Sequence, residues 1–257
     1  MEKICIDLKA EHDDLGNILS GLGEKQWRII TPFFDWTIKD QIRHLAYFDD
    51  RAALAAVDPV GFNRHLKEEI GSPEGLAEHI EKVVGDRSVV ELSGWWEKKR
   101  SEMLNAFRNL NPKDRLPWYG PPMSALSFAT ARLMETWAHG QDVFDGLGQE
   151  RIFTDRLRNI AHLGVTTFAW SYINRDLEVP QTQVRVELTA PSGEAWTWGP
   201  EDALERILGP AEDFCLVVVR RRHVDATGLK IVGDAARDWM LKAQCFAGPV
   251  VDGPEPG

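Results

Sequence analysis

Up to about residue 176 the apolar positions recur every three or four residues; beyond about residue 183 they alternate with polar ones or fall in short runs. The first regime predicts long helices. Ile4, Leu8, Leu15, Ile18, Leu19 and Leu22 form one stripe over residues 3–21, and "GLG" stops it. A second helix begins at Thr37, whose hydroxyl can cap the first turn while Asp40, three residues on, completes a box-like start; Ile38, Ile42 and Leu45 repeat along it to about Val57. Helical patterns follow over about 64–84 and 88–110. After the Pro-rich connector "NPKDRLPWYGPPMS" come a long helix from Ser124 to about Gly146 and a further helical segment from Thr154 to about Arg175. Elements of this length pack side by side as a bundle, with an up-down four-helix core.

In the second regime Val184, Val186 and Leu188 alternate with polar residues, the chain turns at "PSGE", and Trp196 and Trp198 resume the alternation, which predicts a hairpin. A short helix at about 201–208, the ambiguous run "EDFCLVVVRRR", a strand at "LKIVG" and a last helix in "DAARDWMLKAQCFAG" complete a small α+β unit. The change of pattern near 177–183 places the boundary between a bundle over residues 1–178 and a C-terminal domain over 179–257.

Composition narrows the chemistry. The 257 residues are 43% hydrophobic, enough for a substantial core, and 30 basic against 40 acidic residues leave a charge of -10, which repels nucleic acid and anionic lipid. Cys5, Cys215 and Cys245 are far apart with no CxxC spacing, so neither a disulfide framework nor a thiolate zinc site is expected, and a reducing cytoplasm fits. No apolar run reaches the roughly 18–20 residues of a membrane span. A small molecule is the expected partner, with the chain a monomer or homodimer.

In "RLMETWAHGQDVFDG" Glu135 and His139 stand four residues apart, one turn above each other on one helical face. Such a pair also arises as a surface ion pair. His44, in the helix from Thr37, changes the reading: a His on one helix facing a Glu and a His on another supplies three N/O ligands, as bundles build metal sites. Three protein ligands leave an open position on zinc, the mark of a catalytic site. His12, His65, His79 and His162 read as solvated or locally hydrogen-bonded, without a partner at ligand spacing in a second long helix; His12, in the first helix, is the one that could reach the site. Asp142, three residues past His139, is either an acceptor for its second ring nitrogen or an exposed acid near a helix end. Trp36, Trp95, Trp96, Trp118, Trp137 and Trp170, six of ten tryptophans, read as core, with Trp137 facing away from the ligands.

"FFDWTIKDQIRHLAYFD" followed by "ARLMETWAHGQDVFDGLG" resembles the DinB-like metal-binding bundle, in the branch of the mycothiol-dependent maleylpyruvate isomerases. The resemblance implies that the metal is held by His44, Glu135 and His139. The tail through "KAQCFAG" is similar to the small C-terminal domain of that branch, which has a sterol-carrier-like fold. The implied chemistry is a divalent metal, expected to be Zn2+, that activates a low-molecular-weight thiol, mycothiol or similar. The thiolate adds to an activated double bond, the bond rotates, and elimination returns the thiol; a transferase stops after addition or displacement. The acceptor needs a positive partner, and Arg220, Arg221 and Arg222 are the densest basic cluster. An arginine fork binds a carboxylate bidentately, so Arg222, with Arg221 next, is the expected substrate anchor, on a small domain expected to cover the metal mouth. The rival reading is a non-catalytic, metal-containing protein that binds a lipid-like or acyl compound.

Overall fold

The computed structural model describes residues 1–255, so the last two residues of the expected C-terminal domain, 256–257, lie outside the described residues. The chain forms two compact units, Met1–Glu150 and Arg151–Gly257.

The first unit contains α1 (Glu2–Ser20), α2 (Ile38–Val57), α3 (Pro59–His65), α4 (Pro73–Val84), α5 (Val89–Arg108), the two-residue strands β1 (Arg115–Leu116) and β2 (Met123–Ser124), and α6 (Ala125–Leu147). Helix α2 packs on α5 and α6, and α1 on α6 and α5, which closes the expected four-helix core. Leu15 and Leu19 of the α1 stripe meet Ile38, Ile42 and Leu45 of α2, Leu92 and Trp96 of α5 and Val143 of α6 in one apolar cluster; each such side chain contributes about 1.5–3 kcal/mol when buried. Helix α2 starts as expected: Thr37 accepts from the Asp40 amide (3.2 Å) and Asp40 accepts from the Thr37 amide (3.1 Å). Helix α6 stops at Gly148, whose φ of 63° is the left-handed conformation that favours glycine.

The bundle is tied at its centre by a buried charge. Asp49 of α2 accepts from Arg132 of α6 (Nε 3.1 Å, guanidinium NH2 2.8 Å) and from the indole of Trp96 on α5 (3.0 Å). His12 of α1 brings Nε2 to 3.6 Å from the same carboxylate, so this histidine faces Asp49.

The helix expected over 64–84 is broken. Helix α3 passes into a π-helical turn, Leu66–Ile70, and the chain reverses at Gly71 (φ 63°) before Ser72 caps α4 by accepting from the Gly75 amide at 3.1 Å. Pro73 has no amide hydrogen to continue the earlier helix. The Pro-rich connector carries the β1–β2 hairpin, with Arg115 opposite Ser124 and Leu116 opposite Met123.

The second unit starts earlier than the change of pattern suggested, because the segment expected at 154–175 packs within it. That segment is two helices, α7 (Leu157–Thr166) and α8 (Phe168–Ile173), and α7 lies on α9 (Ala211–Val218). A Cβ at Gly164 would stand 2.9 Å from Val218 and 3.0 Å from Phe214. Gly164→Val is therefore expected to cost about 1–3 kcal/mol by overpacking, measured as a lower urea midpoint.

The sheet has the order β4-β3-β5-β6, formed by β3 (Val184–Thr189), β4 (Ala195–Trp198), β5 (Glu205–Pro210) and β6 (Lys230–Val232). The β3–β4 hairpin turns where expected. No helix forms at 201–208: residues 201–204 turn and 205–208 enter the strand β5, parallel to β3 with Val186 opposite Ile207, and antiparallel to β6 with Ile207 opposite Ile231. "EDALERIL" spaces its apolar residues as a helix does, but pairing on both edges and burial of Ile207 override that local preference. Val186, Leu188, Trp196 and Ile207 are buried, and Trp239 of α10 (Asp234–Lys242) packs edge-on against Phe214 at 6.0 Å. No helix among the described residues is long and apolar enough to cross a membrane.

Candidate functional site

The capping box fixes where α2 begins, and His44 follows two turns later on the face turned to α6. Glu135 and His139 leave α6 one turn apart. The structure brings the three together: Glu135 Oε2 lies 3.4 Å from His44 Nε2 and 3.3 Å from His139 Nε2, and the three ligand atoms lie within 4.8 Å of one another.

The orientation of His139 is set from behind. Thr31 donates its hydroxyl hydrogen to the Trp36 carbonyl (2.8 Å), so its oxygen accepts from the Gln41 amide nitrogen (2.7 Å). This turns Gln41 Oε1 toward His139 Nδ1, which must carry the proton it donates. In the neutral ring Nε2 is then a bare lone pair aimed at a carboxylate oxygen. Two acceptors so placed repel unless positive charge stands between them. Zinc bonds of about 2.0–2.2 Å in tetrahedral geometry put neighbouring ligand atoms about 3.3–3.6 Å apart; both Glu135–histidine distances fall there, so the three residues can hold a divalent cation. Burial works to raise the Glu135 carboxyl, but the two imidazoles beside it, His139 first and then His44, outweigh burial and hold it well below the usual carboxylate range.

Aromatic rings wall the site. Trp36 stacks on His139 (6.0 Å, 12°) and leans on His44 (5.4 Å), Phe33 stands edge-on to His139 (6.2 Å), and Phe48 lies 4.6 Å from His44. Expected as core, Trp36 is half-buried and belongs to this rim. Between Phe33 and Trp36 the chain passes through Phe34 (φ 57°) and Asp35 (φ 54°), two successive side chains in the left-handed region, a strain often kept at functional sites. Gln41 and Thr31 escaped the sequence reading because neither is a metal-ligand type; the available signal was Gln41 one turn before His44. Asp142, read as either acceptor or exposed acid, is buried, with Oδ2 at 3.6 Å from His139 Nδ1, farther than Gln41. Trp137 is buried.

Two other histidines depart from expectation. His65 and His79 are buried and share Glu69, with ring nitrogens 3.2 and 2.7 Å from its Oε2. His162 is exposed, as expected, and accepts from the Trp198 indole at 3.3 Å.

In the second unit the basic cluster follows α9 and is largely buried, not a solvated cap. Arg220, at φ 62°, donates to the carbonyls of Val251 (3.0 Å) and Leu241 (2.9 Å). Arg221 is buried and donates to the Val219 carbonyl (2.9 Å); Arg222 is half-buried and donates to the Arg221 carbonyl (2.8 Å). A cleft of about 410 Å³ in this unit is lined by Asp225, Asp234 and Arg237 besides Val224, Leu229 and Ile231, a charged surface for an acyl chain to meet.

Residues 8–144 match the family described as the mycothiol maleylpyruvate isomerase N-terminal domain, and residues 180–229 match one described as wyosine base formation. Two uncharacterized proteins of Mycobacterium tuberculosis, from strains CDC 1551 / Oshkosh and ATCC 25618 / H37Rv, are each 43% identical over 243 residues, 95% of this chain and 95% of their own length. Two crystal structures of a mycothiol-dependent maleylpyruvate isomerase, one of a histidine-to-alanine mutant, share the fold with TM-scores of 0.62 and 0.61. Each is 17% identical, over 90% of this chain and 92% of that one.

Proposed function

The chain belongs to the mycothiol maleylpyruvate isomerase N-terminal domain family, and from that premise we propose a divalent-metal-dependent enzyme that isomerises or S-conjugates a small carboxylated electrophile with a low-molecular-weight thiol such as mycothiol. His44, Glu135 and His139 hold the cation, for which zinc suits two imidazoles and a carboxylate. What carries the reading is the convergence of His44 Nε2, Glu135 Oε2 and His139 Nε2 from two facing helices, all within 4.8 Å of one another. When bound, the cation supplies a Lewis-acid position that brings a thiol below its free pKa of about 8.5.

The residues around it have separate tasks. Gln41 and Thr31 lock the His139 tautomer and ring plane, Glu135 stays ionised, and Trp36, Phe33 and Phe48 present apolar ring faces that limit water at the reacting sulfur. The chain itself offers no ready nucleophilic sulfur: Cys5, Cys215 and Cys245 are all buried, and burial pushes the Cys5 and Cys215 thiols up, Cys215 strongly. The attacking thiol therefore comes from outside. Arg222, with Arg221 next, is the proposed anchor for the acceptor carboxylate. Arg222→Ala is expected to leave metal content unchanged and raise the KM for an anionic acceptor roughly tenfold or more, the loss of a charge-assisted hydrogen bond worth about 1.5–3 kcal/mol.

The test is turnover by metal-loaded protein of maleylpyruvate and other unsaturated acids, with mycothiol and other small thiols. Activity that needs both metal and thiol is expected. Metal-loaded protein inert with every thiol would leave the rival reading, a ligand-binding protein.

A further inference from the structure

We infer that His65, Glu69 and His79 form a second divalent-cation site in the first unit, independent of the reading of His44, Glu135 and His139. Its basis is a count of hydrogens. On the outer side, His65 Nε2 lies 3.0 Å from the Tyr119 hydroxyl, His79 Nδ1 lies 3.1 Å from the Tyr47 hydroxyl, and the two hydroxyls lie 3.2 Å apart. Three contacts in series need three hydrogens, and two hydroxyls supply two. The third must sit on an outer ring nitrogen, so at least one neutral imidazole turns a bare lone pair inward. Inward, His79 Nε2 stands 2.7 Å and His65 Nδ1 3.2 Å from the same Glu69 Oε2. A lone pair against a carboxylate oxygen at these distances requires positive charge between them.

The arrangement suits a metal ion better than a single proton. Two imidazoles and a carboxylate converge with their donor atoms within 4.8 Å of one another, a set matched to zinc and its first-row neighbours. Each ring has a hydroxyl behind it to accept the outer N–H, the support that metal-bound histidines usually have. Both rings are buried while Glu69 is exposed, so the site opens to solvent on one side, where a cation can enter and water can complete its coordination. Glu69 projects from the π-helical turn Leu66–Ile70, a distortion often found at functional sites. The ligands come from α3, that turn and α4; a bound cation would pin this excursion and, through Tyr119 and Tyr47, tie it to the β1–β2 hairpin and to α2.

Equilibrium dialysis against micromolar Zn2+, with metal counted per chain, tests this in the full protein. The wild type is expected to hold about two equivalents, and Glu69→Gln, His79→Ala and His139→Ala about one each. Glu69 is exposed, so its replacement spares the fold even if His79→Ala does not. Tyr119→Phe, which removes one outer acceptor, is expected to weaken one of the two equivalents by about tenfold. A single equivalent that persists in Glu69→Gln and vanishes in His139→Ala overturns the inference, assigns the charge to an imidazolium proton, and leaves the proposed function standing. The opposite pattern supports the second site and defeats the first; no bound zinc defeats both.

Discussion

His139→Ala is expected to yield a folded protein that no longer retains the cation at His44 and Glu135 and whose thiol-dependent activity falls by about a thousandfold or more. Metal-ion stabilisation of a reacting charge is worth several kcal/mol, and each 1.36 kcal/mol is tenfold in rate. Truncation removes a ligand and also orphans Gln41, which is buried. Gln41→Leu keeps all three ligands and frees the His139 ring to rotate or change tautomer; it should weaken metal binding by about 10–100-fold. Metal content by mass spectrometry, turnover at saturating thiol, and circular dichroism separate these outcomes from unfolding.

The largest effect on stability is expected at Asp49, where all four core helices meet. Asp49→Asn leaves the Arg132 guanidinium, itself buried, without its counter-charge, at a cost of about 3–5 kcal/mol. In a chain of this size that lowers the melting temperature by roughly 10 °C. Replacing both partners, as Asp49→Leu with Arg132→Met, should be less damaging than either single change, because no buried charge is then unpaired. Acid unfolding carries the same signature. Burial acts to raise the Asp49 carboxyl, and the Arg132 charge with the contacts of His12 and Arg132 outweighs it, so its folded pKa lies below the ordinary range. A depressed carboxylate contributes stability that is full above its unfolded pKa of about 3.9 and is lost as pH falls through the folded value. Asp49→Asn lacks that limb, and urea midpoints between neutral pH and pH 2 should fall less steeply with acid than in the wild type.

The bundle was legible because its signals are local. The α1 stripe, the Thr37–Asp40 box and the four-residue step from Glu135 to His139 each lie within a few turns, and His44 needed only the assumption that two long helices face each other. What escaped depended on tertiary contacts or on a helix break. The second half of "EDALERIL" is a strand because β3 and β6 pair with both of its edges. Residues 154–175 look like another bundle helix, yet the small face of α7 at Gly164 is shaped to α9. His65 and His79 have no partner at ligand spacing in a second long helix, and the pattern over 64–84 reads as one continuous helix. "GSP" at 71–73 breaks that helix and folds α4 back so that both rings reach Glu69; the break was written in the sequence, but its geometric result was not. Thr31 reaches His139 only through Gln41, a relay across 108 residues of chain that no spacing rule captures.

The central claim is that His44, Glu135 and His139 hold a metal that a small thiol can reach. Cobalt spectroscopy tests it most directly, in the Glu69→Gln background so that one centre is observed. Co2+-loaded protein is expected to show the visible bands of a low-coordinate N/O site and, when mycothiol is added, a new near-ultraviolet sulfur-to-cobalt band that is absent after His139→Ala. A protein that takes up no Co2+, or whose Co2+ spectrum is unchanged by mycothiol at any concentration, would contradict it.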